Sequence, residues 1–259
     1  MSALAMFSVR GKVIVLTGGG GRYGRGLAAL LAEAGATVVI ASRGLEKLQK
    51  IAAGEIARGF SVHAEPLDQS DEKSVLDLRD RVLAKFGRVD GLVNNAVARP
   101  MKSPDAPVSA WEESMRVNAT GLFLVTRAFG EAMCGNKSGS IVNIGSIQGM
   151  IGPTLELYEG TNMGVPPPDY FFHKGGMENL TRYYAGILGP HHVRVNCLAP
   201  GGIFNHQPEP FLTRYNEHTM LGHMADERDL GGAVIFLLSD ASKYITGANL
   251  PVDGGYTAK

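Results

Sequence analysis

Tyr170 and Lys174 stand four positions apart in the run Tyr170-Phe-Phe-His-Lys174. On a helix this spacing puts both side chains on one face, one turn apart, so the ammonium favours the phenolate. A tyrosine tuned in this way exchanges a proton near neutral pH. Upstream, Ser146 closes an apolar, strand-like run, and further upstream lies Thr17-Gly-Gly-Gly-Gly-Arg-Tyr-Gly24. Gly19, Gly21 and Gly24 satisfy G-x-G-x-x-G, with a strand pattern before and a helix pattern after. Such a turn lets backbone approach a pyrophosphate, and the amides that open the helix hold it.

The second strand pattern ends Ile40-Ala-Ser42-Arg43. An acidic residue here would accept the ribose hydroxyls of NAD, whereas Ser42 and Arg43 offer a hydroxyl and a cation suited to an added 2′-phosphate. The sequence therefore favours NADP(H), with NAD(H) as the other cofactor, and Arg22 and Arg25 add positive charge nearby.

The elements that must position these residues are visible as apolar runs at 13–17, 37–41, 61–65, 91–94, 140–144, 193–198 and 249–252, alternating with helical patterns. This alternation predicts an α/β fold: a Rossmann-type, doubly wound parallel sheet of about seven strands in three α/β/α layers, forming a single domain over 1–259. Ser109-Ala-Trp-Glu112 fits a capping box, Trp111 suits helix packing, and Asp226 with Asp229 suits the first turn of a helix running to Leu238. Pro168-Asp169 suits a chain entering the helix of Tyr170, with Asp169 as its cap, and His173 is expected to face away from the Tyr170/Lys174 stripe, at a surface or interface. Two stretches are too long for minimal connections: 148–169, ending Pro166-Pro-Pro168-Asp169, and 201–222, read as a substrate lid.

Lysine plus arginine equals aspartate plus glutamate, 25 each, so nothing pulls the chain toward nucleic acid or an anionic membrane. Small molecules and copies of itself are the expected partners. Cys134 and Cys197 are too few for a disulfide framework and have no metal-ligand spacing, which predicts two buried thiols and no metal. No apolar run reaches membrane-spanning length and no signal-like segment precedes Arg10, so a cytoplasmic location is expected.

Together these residues resemble the short-chain dehydrogenase/reductase family, from Gly11 to about Tyr256. The family's T-G-x-x-x-G-x-G turn maps to 17–24, with Gly18, Gly21, Arg22, Tyr23 and Gly24 as cofactor-binding positions; its adenine-contacting aspartate maps to Asp68, beside Gln69. Its N-N-A-G maps to Asn94-Asn95-Ala96-Val97, and its P-G segment beside the nicotinamide to Pro200-Gly201, with Ile203 following. The resemblance implies a catalytic tetrad of Asn118, Ser146, Tyr170 and Lys174. The family's C-terminal signature matches residues 245–255 and often packs against another subunit, which implies a homo-oligomer, a dimer or tetramer.

Four departures from the family pattern stand out. Arg22 replaces a turn glycine and can lie along the phosphates; Val97 replaces the glycine of N-N-A-G; Asn205 stands where many members have a threonine that touches the carboxamide. The largest is spacing: Ser146 and Tyr170 are 24 positions apart, where the family has roughly a dozen, so about ten residues are inserted. Tyr158 lies nearer the usual distance, but position 162 is Asn, which supplies no ammonium, so Tyr170 is the catalytic tyrosine.

The resemblance implies hydride transfer between the nicotinamide and a substrate carbon, interconverting a secondary alcohol and a ketone. Tyr170 would move the proton, Ser146 would bond the reacting oxygen, and Lys174 would hold the nicotinamide ribose and depress the Tyr170 pKa. Asn118 would support a water relay from Lys174. The polar run 155–162 in the insertion predicts a sugar, sugar acid or polyol as substrate, met by Ser146, Gln148, Tyr158 and Tyr170. Reduction of a 3-oxoacyl thioester is the alternative, for which Arg127, Lys137, Arg182 and Arg214 would have to form a landing site for an acidic carrier. A non-catalytic NAD(P)-sensing protein is the alternative of another class, against which the complete tetrad argues.

Overall fold

A computed structural model of the chain describes residues 2–259. Its centre is one seven-stranded sheet, all neighbours parallel, in the order β3-β2-β1-β4-β5-β6-β7. The strands are β1 (Val13–Thr17), β2 (Thr37–Ser42), β3 (Val62–Pro66), β4 (Gly91–Asn94), β5 (Gly139–Ile144), β6 (Val193–Pro200) and β7 (Asn249–Val252). They fall within two residues of the runs read from sequence.

Both faces of the sheet are covered, which is why β1 and β4 are buried at every position rather than alternately. Ile14, Leu16, Val38 and Ile40 point into a core shared with α1 (Arg22–Glu33), α2 (Leu45–Ala57) and α8 (Gly231–Leu238), through Leu27, Leu31, Leu48 and Val234. Val13, Val15 and Val39 point the other way, against α3 (Glu72–Phe86), α5 (Gly121–Gly135) and α6 (Pro168–Leu188), where Leu78, Val125, Phe129 and Leu188 are buried. Strand order reverses between β1 and β4, the position at which an open parallel sheet leaves a crevice beyond its carboxyl ends.

Three helix starts differ from the sequence expectation. α4 (Val108–Met115) begins after Pro107, so Ser109 lies inside the first turn and makes no cap. α6 begins at Pro168 after Pro167; Asp169 is in its first turn and its carboxylate turns inward to accept from the Ser114 hydroxyl at 2.5 Å. Proline at the start removes an amide that would otherwise need a cap, so the aspartate is free for burial. α8 begins at Gly231, and Asp226 and Asp229 instead close the preceding turn through the amides of residues 226, 228 and 229.

α4 and α5 are one continuous rod interrupted by a π-helical turn, Arg116–Thr120. That turn carries Asn118. α7 (Glu209–His218) belongs to the 201–222 stretch and packs Phe211 and Tyr215 against Ile147, Leu157, Met224 and Tyr256 in a small separate core. Cys197 is buried as expected, but Cys134 is only partly so.

Candidate active site

Beyond the ends of β1, β2 and β4 lies a cleft of about 260 Å³ lined by Gly18, Gly21, Arg22, Tyr23, Gly24, Ser42, Arg43, Asp68, Gln69, Asn95, Ala96 and Val97. The glycines there are required by close approach. A Cβ on Gly24 would lie 2.2 Å from the Gly18 carbonyl oxygen, and one on Gly18, whose φ is +70°, would lie 2.7 Å from Ala96 Cα. The Thr17 hydroxyl accepts from the amides of Asn95 and Ala96, both at 3.1 Å, and the Asn95 side chain donates to the Thr17 carbonyl at 3.0 Å. Thr17 and Asn95 thus lock β1 to β4 at the floor of the cleft. This shape and donor set fit a nucleotide cofactor.

Several predicted cofactor positions are tied down. Asp68 accepts from the Ser70 hydroxyl at 2.7 Å; that bond, with the Ser70 amide and the Arg43 and Arg116 charges, outweighs burial and holds its carboxyl below the usual range. The Gln69 amide donates to the Val117 carbonyl at 2.8 Å. Arg22 reaches across the cleft to bond Glu227 and Asn205 rather than lying free.

A second cleft, of about 370 Å³, shares Arg22, Tyr23, Asn95 and Val97 with the first. It brings together Ser146, Gln148, Tyr158, Tyr170, Lys174, Pro200, Gly201 and Ile203. Burial pushes the Tyr170 hydroxyl up, but the charges of Lys174 and Arg99 and hydrogen bonds joining it to Ser146 and Arg99 overcome this, leaving its pKa below the ordinary tyrosine value. Lys174, 4% exposed, donates to the Ile144 carbonyl at 2.5 Å, with its ammonium 5.6 Å from the Tyr170 ring centre. Its own pKa is lowered by burial, against the pull of Tyr170. Ser146 opens a short 3₁₀ turn and accepts from the Gln148 amide at 3.2 Å, which fixes its rotamer.

Asn118 is not at the tyrosine. It bonds both backbone groups of Ala98 at 2.8 Å and donates to Ser114 at 3.0 Å, pinning the loop after β4. With Lys174 and His173 it lines a small void beneath the catalytic cleft.

His173 corrects the sequence reading: it is 4% exposed, packs edge-on against the Tyr170 ring at 5.2 Å, and neither ring nitrogen has a partner. Residue i+3 lies about 60° round the helix from residue i, so it shares the tyrosine's side. Burial, helped by the charges of Lys174 and Arg99, pushes its pKa down to about 3.

The insertion also differs from expectation. Ile151, Gly152, Pro153, Thr154, Leu157 and Tyr158 line the catalytic cleft. The carboxylates do not: Glu156 pairs with His218 at 2.8 Å and Glu159 is exposed. Sequence reasoning missed Arg99 altogether, since one arginine in a loop has no pattern to flag it.

A model described as Enoyl-(Acyl carrier protein) reductase, within the short-chain dehydrogenases, matches residues 23–257. The chain belongs to the short-chain dehydrogenase/reductase family. It is 34% identical to the cyclopentanol dehydrogenase of Comamonas sp., covering 98% of this chain and 100% of that one. The fold matches a gluconate 5-dehydrogenase from Burkholderia cenocepacia, solved with NADP and tartrate, with a TM-score of 0.91, 30% identity and full coverage of both chains. It also matches an NAD⁺-bound xylitol dehydrogenase, with a TM-score of 0.85 and 30% identity over 95% of this chain and 99% of that one. As a family member the chain is an NAD(P)-dependent oxidoreductase that interconverts an alcohol and a carbonyl compound. None of its helices among the described residues is long and apolar enough to cross a membrane.

Proposed function

We propose that the chain is an NADP-preferring dehydrogenase for a small hydroxylated molecule, a sugar, sugar acid or polyol, with Asn118, Ser146, Tyr170 and Lys174 as its catalytic tetrad. The observation that carries this is a depressed Tyr170 at the junction of a glycine-lined nucleotide cleft and a cleft rimmed with hydroxyl and amide groups. The likeness to enzymes named for gluconate, xylitol and cyclopentanol supports the substrate class.

Bound in the two clefts, the nicotinamide nucleotide supplies or accepts the hydride. Tyr170 gives its hydroxyl proton to the carbonyl oxygen in reduction and takes the alcohol proton in oxidation. Ser146 bonds the same oxygen and stabilises its developing charge. Lys174 keeps the phenol acidic through its field and would hold the nicotinamide ribose; Asn118 fixes the loop beside the small void it shares with Lys174. Ser42 and Arg43, which line the cleft at the end of β2, would hold the 2′-phosphate of NADP. The 201–222 stretch serves as a lid, and the C-terminal segment as a subunit contact.

The thioester alternative has weaker support: Arg127 is paired to Glu72, Arg182 to Glu178, and Arg214 to carbonyls of the insertion. The decisive experiment is Tyr170→Phe. Turnover should fall by about 10²- to 10⁴-fold, the contribution of a positioned acid or base, with cofactor affinity unchanged. Retained turnover would remove Tyr170 from the mechanism.

A further inference from the structure

The catalytic cleft carries a marked charge imbalance. Arg22, Arg99 and Lys174 line it, and no aspartate or glutamate does. Two of the cations are engaged: Arg22 with Glu227 and Asn205, Lys174 with the Ile144 carbonyl. Arg99 makes no ion pair among the described residues, and its guanidinium lies over the Tyr170 ring, 4.4 Å from the centre. A stacked guanidinium keeps its N–H donors in its own plane, pointing away from the ring. Arg99 lines the cleft, so those donors are available to a ligand that sits beside the Tyr170 ring.

The position of Arg99 is also fixed. Both backbone groups of Ala98 are held by Asn118, and the Arg99 carbonyl accepts from Lys102 at 2.8 Å. A stacked, unpaired arginine on a pinned loop is pre-organised for a planar anion, and bidentate carboxylate is the anion its fork matches.

We propose that Arg99 is a specificity-determining residue that binds a substrate carboxylate, so that the substrate is a hydroxy acid or keto acid rather than a neutral polyol. This rests on the substrate cleft assigned above. Because the Arg99 guanidinium lies 4.4 Å from the centre of the Tyr170 ring, whose hydroxyl serves the reacting oxygen, the carboxylate is separated from the reacting carbon by only a short carbon chain. Neutral sugars and polyols would leave the arginine's donors to water.

The test uses matched pairs that differ only in a carboxylate against a hydroxymethyl group, gluconate with glucitol and the corresponding five-carbon aldonates with their alditols. Binding to the NADPH-loaded protein is read from cofactor fluorescence, with wild type, Arg99→Gln and Arg99→Lys. Wild type should prefer the acids by roughly 10- to 100-fold, the range of a charged hydrogen bond. Arg99→Gln should erase that preference while leaving the alditol affinities in place, and Arg99→Lys should keep part of it. No preference for the acid in wild type, or a preference that survives Arg99→Gln, overturns the proposal. Binding is read without turnover, so the two readings fail separately. Turnover of the same pairs is followed separately with NADP⁺ as the hydride acceptor: charge-selective binding without such turnover would overturn the dehydrogenase assignment alone, and acids and alditols oxidised alike, with Arg99→Gln slowing neither selectively, would overturn only the carboxylate.

Discussion

The two clefts meet at Arg22 and Tyr23 but are built in opposite ways. The nucleotide cleft is shaped by backbone: glycines packed against carbonyls and Cα atoms at the ends of β1 and β4, with Thr17 and Asn95 as internal struts. The catalytic cleft is shaped by side chains from segments far apart in sequence, among them the insertion, α6 and α7. Backbone construction leaves no slack and tolerates few substitutions. Side-chain construction can be retuned one residue at a time, which suits a surface that must choose among substrates.

The sharpest way to break this contrast is to add one methyl group to the nucleotide cleft and, as a control, one to α6 outside both clefts. Gly24→Ala puts a carbon 2.2 Å from the Gly18 carbonyl oxygen, and Gly18 cannot retreat because its amide bonds the Ala41 carbonyl at 2.8 Å. Overpacking of this kind costs about 1–3 kcal/mol or more, and here it also distorts the phosphate cradle. The expected outcome is loss of measurable cofactor binding by calorimetry. Normal affinity would mean that the turn is softer than its geometry implies. Gly175→Ala on α6, whose Cβ would meet nothing closer than 3.5 Å, should leave binding intact.

The next largest effect belongs to the buried imidazole under the tyrosine. His173 titrates near 6.5 when exposed and at about 3 in the fold, so between these values the unfolded chain binds the extra proton. Its contribution to stability is therefore complete above about pH 6.5 and lost as pH falls toward 3. His173→Leu should lose less melting temperature than wild type between pH 7 and pH 4.5, by several degrees. Parallel curves for the two proteins would show that the ring is hydrated in the fold.

His173 also shows where sequence reading stops. The strands, the glycine turn and the Tyr170/Lys174 pair were legible because each is a local pattern with a local physical cause: buried strands must be apolar, tight turns need glycine, and a helix brings i and i+4 together. What lay beyond reach depends on which partner arrives from elsewhere. The inward turn of Asp169 needs Ser114 from α4, the diversion of Glu156 needs His218 from α7, and the stacking of Arg99 needs Tyr170 from α6. Ser109 carried a correct capping pattern, but Pro107 started the helix two residues early.

On the nucleotide side, Arg43 is the exception that side-chain chemistry can reach. Arg43→Ala should weaken NADP binding by about tenfold, the value of one charged hydrogen bond of roughly 1.5 kcal/mol, and leave NAD binding nearly unchanged. Competitive titration of both cofactors reads this directly. Equal losses for the two would assign Arg43 to the shared part of the nucleotide.

The smallest effect should come from loosening the insertion without touching the chemistry. Arg214 on α7 donates to the carbonyls of Glu156 at 2.8 Å and Glu159 at 2.5 Å, and the Tyr256 hydroxyl donates to Thr154 at 3.0 Å. These bonds hold a loop that lines the second cleft at Thr154, Leu157 and Tyr158 and takes no part in the glycine-lined one. The Arg214 bonds are exposed to solvent, so each stabilises the closed loop by only about 0.5–1.5 kcal/mol. Arg214→Ala should accordingly raise KM a few-fold, leave the cofactor affinity alone and change kcat little, because Tyr170, Ser146 and Lys174 are held by α6 and β5. A drop in kcat with KM unchanged would mean that the insertion positions the catalytic groups rather than the substrate, and the division between the two clefts would have to be redrawn through α6.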